Sequence, residues 1–168
     1  RCHYLQSIQI YKESKLKKIG DFAFYNSAIS KIDIPVHVKN IGKSCFDNCK
    51  FLEFVTFTKD SELVHIDDKA FSSSAILKII IPSNVEYIGI NCFYSCSKLT
   101  DVTLPADLKI ECINCDTFSY TSIESVYIPK NVKKICQNSF CYCFLLEKVI
   151  FAEDSQLVSI GERSFNYT

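Results

Sequence analysis

Ten cysteines and three histidines in 168 residues are the side chains through which this chain could do chemistry. Thiolates bind zinc, attack carbonyls or exchange disulfides, and imidazole serves them as base or co-ligand. Each use demands a geometry. A nucleophilic cysteine needs a base in hydrogen-bond reach and a third group to orient that base. His3, His37 and His65 each occur once, in unrelated contexts, and read as solvated loop residues. Cys112-x-x-Cys115 has the spacing of half a zinc site, with Cys136 and Cys141 following, but no second C-x-x-C completes it. The P-loop, GxGxxG, HExxH and GxSxG signatures do not occur. Acidic-serine pairs recur at Glu13-Ser14, Asp60-Ser61 and Asp154-Ser155. One carboxylate per loop falls far short of the roughly six to eight oxygens that calcium takes, so these read as Asp/Ser turns that span the longer connection.

The elements that must position these residues are periodic. Ile followed five residues later by Phe recurs as Ile19/Phe24, Ile41/Phe46, Ile66/Phe71, Ile88/Phe93, Ile113/Phe118, Ile135/Phe140 and Ile160/Phe165, in steps alternating between 22 and 25 residues. Two unequal coils therefore make a 47-residue superrepeat. After each Phe the chain continues with apolar residues at fixed offsets, as in Leu52, Val55 and Phe57, or Leu99, Val102 and Leu104. That alternation predicts a short half-buried strand in each coil. Pro35, Pro82, Pro105 and Pro129 follow it, where a missing N–H ends pairing. All four glycines, Gly20, Gly42, Gly89 and Gly161, directly follow an anchor Ile, and Asp67 and Asn114 fill two of the other three such slots. These residue types tolerate positive φ, so the slot predicts a tight turn opening a short helical or 3₁₀ segment that carries the Phe. Cys136, in the remaining slot, departs from the rule.

The register accounts for most of the cysteines. Cys2, Cys49, Cys96 and Cys143 share the slot three residues after the Phe and are 47 residues apart, while intervening coils place Ser27, Ser74, Thr121 and Thr168 there. Cys45 and Cys92 share the slot before the Phe with Ala23, Ala70, Thr117, Ser139 and Ser164. Both rows demand a small side chain. With coils about 4.8 Å apart, same-slot cysteines two coils apart stand roughly 10 Å from one another, beyond the ~7 Å reach of a disulfide. They read as buried free thiols. For Cys112, Cys115, Cys136 and Cys141, which lie outside these rows at turn and convex positions, three readings stand: unpaired structural thiols, a disulfide between neighbouring coils, or a Cys₄ zinc site.

The motif IGxxxFxxCxxLxxVxIPxxVxxI, as in VKNIGKSCFDNCKFLEFVTF and VEYIGINCFYSCSKLTDVTLP, resembles the BspA-like leucine-rich repeat of surface proteins in bacteria and parasitic protists such as trichomonads. The resemblance extends over the whole chain. It implies a right-handed α/β solenoid of about seven coils, with one strand per coil in a parallel ladder on one face and short helical turns on the other. It also implies adhesion or protein binding at a cell surface, without naming a ligand. Residues 1–168 read as a single leucine-rich-repeat domain, and a chain that enters and stops mid-repeat without capping units reads as a piece of a longer array.

Nineteen basic residues balance nineteen acidic ones, so no net field favours nucleic acid. No apolar run approaches the roughly 20 residues of a membrane helix, so this segment is not expected to insert directly, and the first ten residues lack a signal-peptide core. One glycosylation sequon stands at Asn166-Tyr167-Thr168. What remains is surface. Period 2 turns the row Gln9, Asp33, Thr56, Ile80, Thr103, Tyr127, Ile150 and the row Ser7, Lys31, Phe54, Lys78, Asp101, Ser125, Lys148 outward. Phe54, Ile80, Tyr127 and Ile150, flanked by Lys31, Lys78 and Lys148, are the candidate contact residues for a protein partner. The functional expectation is a non-enzymatic binding or adhesion module at the cell surface, meeting a host or matrix surface protein, with no cofactor, metal, nucleic acid or small-molecule substrate. The competing reading is an intracellular scaffold, favoured by the many unpaired cysteines.

Overall fold

The computed structural model describes residues 4–11 and 13–168. Cys2 and His3 lie outside the described residues. The chain is a solenoid of about six turns built from parallel strands, with no helix among the described residues. Seven Ile/Phe anchors bound six complete steps, which corrects the expected seven coils, and the α/β label becomes all-β.

Each turn carries two strands rather than one. The strands are numbered β1 to β13 in chain order. The odd-numbered ones hold the anchor Ile: β1 (Lys18–Ile19), β3 (Asn40–Ile41), β5 (His65–Ile66), β7 (Tyr87–Ile88), β9 (Cys112–Ile113), β11 (Lys134–Ile135) and β13 (Ser159–Ile160). The even-numbered ones are the strands expected from the alternating pattern: β2 (Lys31–Ile34), β4 (Phe54–Phe57), β6 (Lys78–Ile80), β8 (Asp101–Thr103), β10 (Ser125–Ile128) and β12 (Lys148–Phe151). Anchor pairs with anchor, as in Ile41↔Ile66 and Ile66↔Ile88. In the other ladder Ile32 meets Val55 and Val126 meets Val149. The 22/25 alternation in sequence is thus the spatial register.

The expected helical segments are instead a third hydrogen-bonded column. Around each Phe, alternate N–H groups reach the next turn (Phe24 N to Cys45 O and Phe46 N to Ala70 O, at 2.9 and 2.7 Å), while those between them close i→i−3 turns such as Tyr25 N to Phe22 O at 3.1 Å. Half of the donors that a helix would use internally are spent between turns, so no helix can propagate. The column needs positive φ in two slots per turn, three residues after the anchor Ile and two after the Phe, as at Ser44 and Asn48 or Asn91 and Ser95.

No glycine has positive φ. The glycine slot, expected to be left-handed, is instead a place of close approach. A Cβ on Gly42 would lie 2.3 Å from Asp21 Oδ1 and 2.6 Å from Asp21 N, and one on Gly89 would lie 2.3 Å from Asp68 N. At Gly42, Gly89 and Gly161 the preceding turn crowds this position, whereas a Cβ on Gly20 would meet nothing within 4 Å and Asp67, Asn114 and Cys136 place a side chain in the same slot.

The core is a set of columns, one residue per turn. Phe46, Phe71, Phe93, Phe118 and Phe140 are buried and stack with Phe24 and Phe165 at centroid separations of 5.2 to 5.5 Å, all within 14° of parallel. The anchor isoleucines from Ile19 to Ile135 and the Leu52, Leu99, Leu146 row belong to the same core, whereas the last anchor, Ile160, is exposed. Both strand ladders are interrupted at the same place, since β7 does not pair with β9, nor β8 with β10. The connector there, residues 105–111, begins with Pro105 and lacks the serine of the other long connectors. In those, Ser61 Oγ accepts from Leu63 N at 3.3 Å and Ser155 Oγ from Leu157 N at 3.3 Å, the turns expected of the acidic-serine pairs, and Ser14 does the same for Leu16. The Phe column runs through the interruption intact, with Phe93 N donating to Thr117 O at 2.9 Å.

Candidate partner-binding face

The strand β2 shows how the face arises. Its Ile32 and Ile34 point into the core while Lys31 and Asp33 point to solvent, the period-2 consequence of a pleated backbone with one buried side. The paired register places Lys31 beside Phe54, Phe54 beside Lys78, and Ile80 beside Thr103. Farther along, Ser125 pairs with Lys148 and Tyr127 with Ile150.

These placements divide the expected contact residues into two patches. Lys31, Phe54, Lys78 and Ile80 gather on β2, β4 and β6, whereas Tyr127, Ile150 and Lys148 sit on β10 and β12 beyond the interruption. Phe54 is 54% exposed, Ile80 66% and Ile150 41%, but Tyr127 is half-buried. Tyr127 therefore contributes less area than its residue type suggests. Lys78 is not a free positive charge, because its Nζ lies 3.6 Å from Asp101 Oδ2. Thr56 likewise donates its hydroxyl to Asp33.

The first patch carries a cleft that the row pattern did not reveal. β4 and β6 pair at Phe54↔Lys78 and then part, and the Ile81 N–H donates to Thr103 O on β8 at 3.0 Å. The parting leaves a groove of about 460 Å³, walled by Phe54, Phe57, Ile80 and Pro82 with Lys59 at its rim. A second groove of about 420 Å³ adjoins it through Thr56, Phe57 and Thr58 and extends to Tyr11. Apolar walls with a few polar groups suit an extended apolar segment or a large side chain of a protein.

The row cysteines do more than satisfy a size limit. Cys49, Cys96 and Cys143 donate their thiols to the Phe24, Phe71 and Phe118 carbonyls of the preceding turn at 3.0, 3.1 and 3.0 Å. Each also touches the hydroxyl of that turn, Ser27, Ser74 or Thr121, at 3.3 to 3.4 Å. Burial pushes the thiols up, Cys96 to about 11 and Cys45 to about 12, and raises Cys49, Cys92 and Cys143 as well. A thiol held neutral is a poor nucleophile. His37 meets Glu62 at 3.0 Å on the surface, and His65 leans against Tyr87. No group of three or more His, Cys, Asp or Glu among the described residues is arranged to hold a metal ion. Cys112, expected at a turn, lies in β9 and faces Cys136 across the ladder.

Sequence reasoning missed an outer aromatic column. Tyr120, Tyr142 and Tyr167 stack at 4.5 and 4.8 Å in a positive-φ slot that earlier turns fill with Asn26, Asn48, Ser73 and Ser95. The signal was present in the register, as a Tyr two residues after the Phe in three successive coils.

A stack of parallel ladders closed by short turns, with one Phe per turn, defines a leucine-rich-repeat solenoid. The chain belongs to the BspA type leucine rich repeat region family, whose model matches residues 1–77 and 64–168 in six copies. Among solved structures it is similar to the pneumococcal vaccine antigen PcpA, at 33% identity with a TM-score of 0.71 over 75% of this chain and 31% of that one. A T. pallidum leucine rich repeat protein matches at 27% identity with a TM-score of 0.72, over 86% of this chain and 66% of its own. A leucine rich cell surface protein from Faecalibacterium prausnitzii matches at 27% identity with a TM-score of 0.62, over 84% and 44%. The chain thus spans less than two thirds of the length of these proteins in every case but comes near it in the second. No curated protein matches it. Repeats of this family and fold are typically non-enzymatic and generally mediate contacts between proteins.

Proposed function

We propose that this solenoid is a non-enzymatic binding module of a cell-surface protein, acting in adhesion by holding a host or matrix protein against its strand face. The observation that carries this reading is the apolar groove between β4 and β6, where Phe54 and Ile80 are exposed without contributing to the core. Two similar proteins, one a vaccine antigen and one a cell surface protein by description, support the surface location. The cysteines do not argue against it. Buried thiols that stay protonated are shielded from oxidants in any compartment, so their number no longer favours an intracellular scaffold.

The test is capture of the solenoid on immobilised extracellular matrix proteins and on fixed host cells, with surface biotinylation of intact producing cells as the check on location. Phe54→Asp combined with Ile80→Asp should weaken capture by at least ~30-fold, the equivalent of about 2 kcal/mol. Phe51→Ser, on an exposed turn away from the groove, should leave it unchanged. Loss through Phe51→Ser with retention in the double variant would place binding on the turns and overturn the strand-face reading.

A further inference from the structure

We propose that Cys112 and Cys136 form a disulfide site that cross-links two consecutive turns of the solenoid. Their Sγ atoms stand 3.1 Å apart, in contact across the ladder between β9 and β11. Cys112 lies opposite Lys134, and Cys136 directly follows Ile135, which pairs with Ile113. Both side chains therefore leave the backbone on the same side of the ladder. Closing the gap to a bonded distance of about 2.05 Å requires each sulfur to move by roughly half an ångström, within the reach of side-chain rotation.

This pair differs from every cysteine of the repeating rows. Cys49, Cys96 and Cys143 have a hydroxyl neighbour and a carbonyl acceptor, and the intervening turns keep them apart from one another. Cys112 is half-buried and open to an oxidant, whereas Cys136 is buried. The half-buried Cys115 is a third thiol near Cys136 and a competitor for it. The location has a structural consequence. β9 is the first strand after the interruption of both ladders, so its turn has lost pairing on one side, and a bond to Cys136 ties it to the turn on the other.

The chemistry balances with a low-molecular-weight disulfide such as oxidised glutathione. Cys112 gives its proton to solvent and its thiolate attacks one glutathione sulfur, releasing the first glutathione as thiolate. Cys136, deprotonated in turn, attacks Cys112 Sγ in the mixed disulfide and expels the second glutathione. Two protons go to water and two electrons to glutathione. Burial and the adjacent Cys136 raise the Cys112 thiol above its ordinary value, so the first step is slow at neutral pH and accelerates as pH rises.

The experiment is peptide mapping of the folded protein after equilibration in oxidised and reduced glutathione, with free thiols alkylated before digestion. The expected result is a linked peptide containing Cys112 and Cys136 that disappears on reduction, with Cys49, Cys96 and Cys143 alkylated only after unfolding. Cys115→Ser should retain the link and Cys136→Ser should abolish it. A link from Cys115 to Cys136, or no link under conditions that oxidise the unfolded chain, would overturn the proposal. The outcome does not depend on whether the strand face binds a partner.

Discussion

The Asn114 side-chain amide donates to the Ile88 carbonyl at 2.8 Å, across the boundary between the turns of β7 and β9, where neither strand ladder continues. Elsewhere the acceptor in this position receives a backbone N–H, as when Gly89 N donates to Ile66 O at 2.8 Å and Cys136 N to Ile113 O at 2.8 Å. Asn114 therefore replaces a ladder bond with a side-chain bond.

Asn114→Ala should leave the Ile88 carbonyl without this donor and destabilise the protein by about 1 to 3 kcal/mol. Denaturant titration gives the magnitude. Native-state hydrogen exchange gives the location, with the turns on either side of residues 105–111 opening first. Uniform acceleration across all turns would contradict the assigned role.

Phe93 lies between Phe71 at 5.5 Å and Phe118 at 5.4 Å, and it is fully buried. Phe93→Ala removes two stacking contacts and opens a cavity that flanking rings cannot fill without breaking their own columns. The expected loss is about 3 to 5 kcal/mol. A change below about 1 kcal/mol in the same titration would mean that the column relaxes freely, contrary to the packing described.

Cys96 separates size from hydrogen bonding, because its thiol donates to the Phe71 carbonyl. Cys96→Ser keeps a donor and matches the serine already found in the alternate turns, so its unfolding midpoint should stay close to wild type. Cys96→Ala loses the donor and some volume, and should cost about 1 to 3 kcal/mol. If the serine variant is the less stable of the two, the slot is governed by apolar burial alone.

The raised thiols predict alkaline destabilisation. In the unfolded chain these groups lose their protons near pH 9.0, whereas Cys96 and Cys45 in the folded protein hold theirs to about 11 and about 12. The native state then binds more protons than the unfolded state, and stability falls as pH rises through that window. It is fully present below pH 9.0. Each such thiol adds a slope of at most ~1.4 kcal/mol per pH unit. Unfolding titrations between about pH 8 and 11 should show the decline, and Cys45→Ser with Cys96→Ser should flatten it. An unchanged slope in that double variant would remove the thiols as the cause.

Ile80→Asp should leave the unfolding midpoint within the scatter of surface substitutions, about 0.5 kcal/mol, because the side chain is 66% exposed. Ile79→Asp, one residue earlier and buried, should prevent stable folding. Equal effects at the two positions would mean that the pleat is not oriented as described.

The amino-acid sequence by itself determined the period, the columns and the outward rows. In a solenoid each side chain packs against the same slot of the adjoining turn, so spacing along the chain maps directly onto neighbours in space. Ile19, Ile41 and Ile66 could be aligned from their intervals alone, and Lys31, Phe54 and Lys78 with them. Only the tertiary structure decided what the backbone does between those slots. A Phe column is compatible with helical segments or with bonded turns, and the choice depends on where each N–H finds its acceptor. Phe24, Phe46 and Phe71 send theirs to the next turn, which forbids the helix and transfers positive φ from the glycine slot to positions such as Asn48 and Asn91. The groove beside Phe54 and the contact between Cys112 and Cys136 arise in the same way. Each reflects how two neighbouring turns diverge or approach, a relationship between backbones that identical spacing in sequence does not carry.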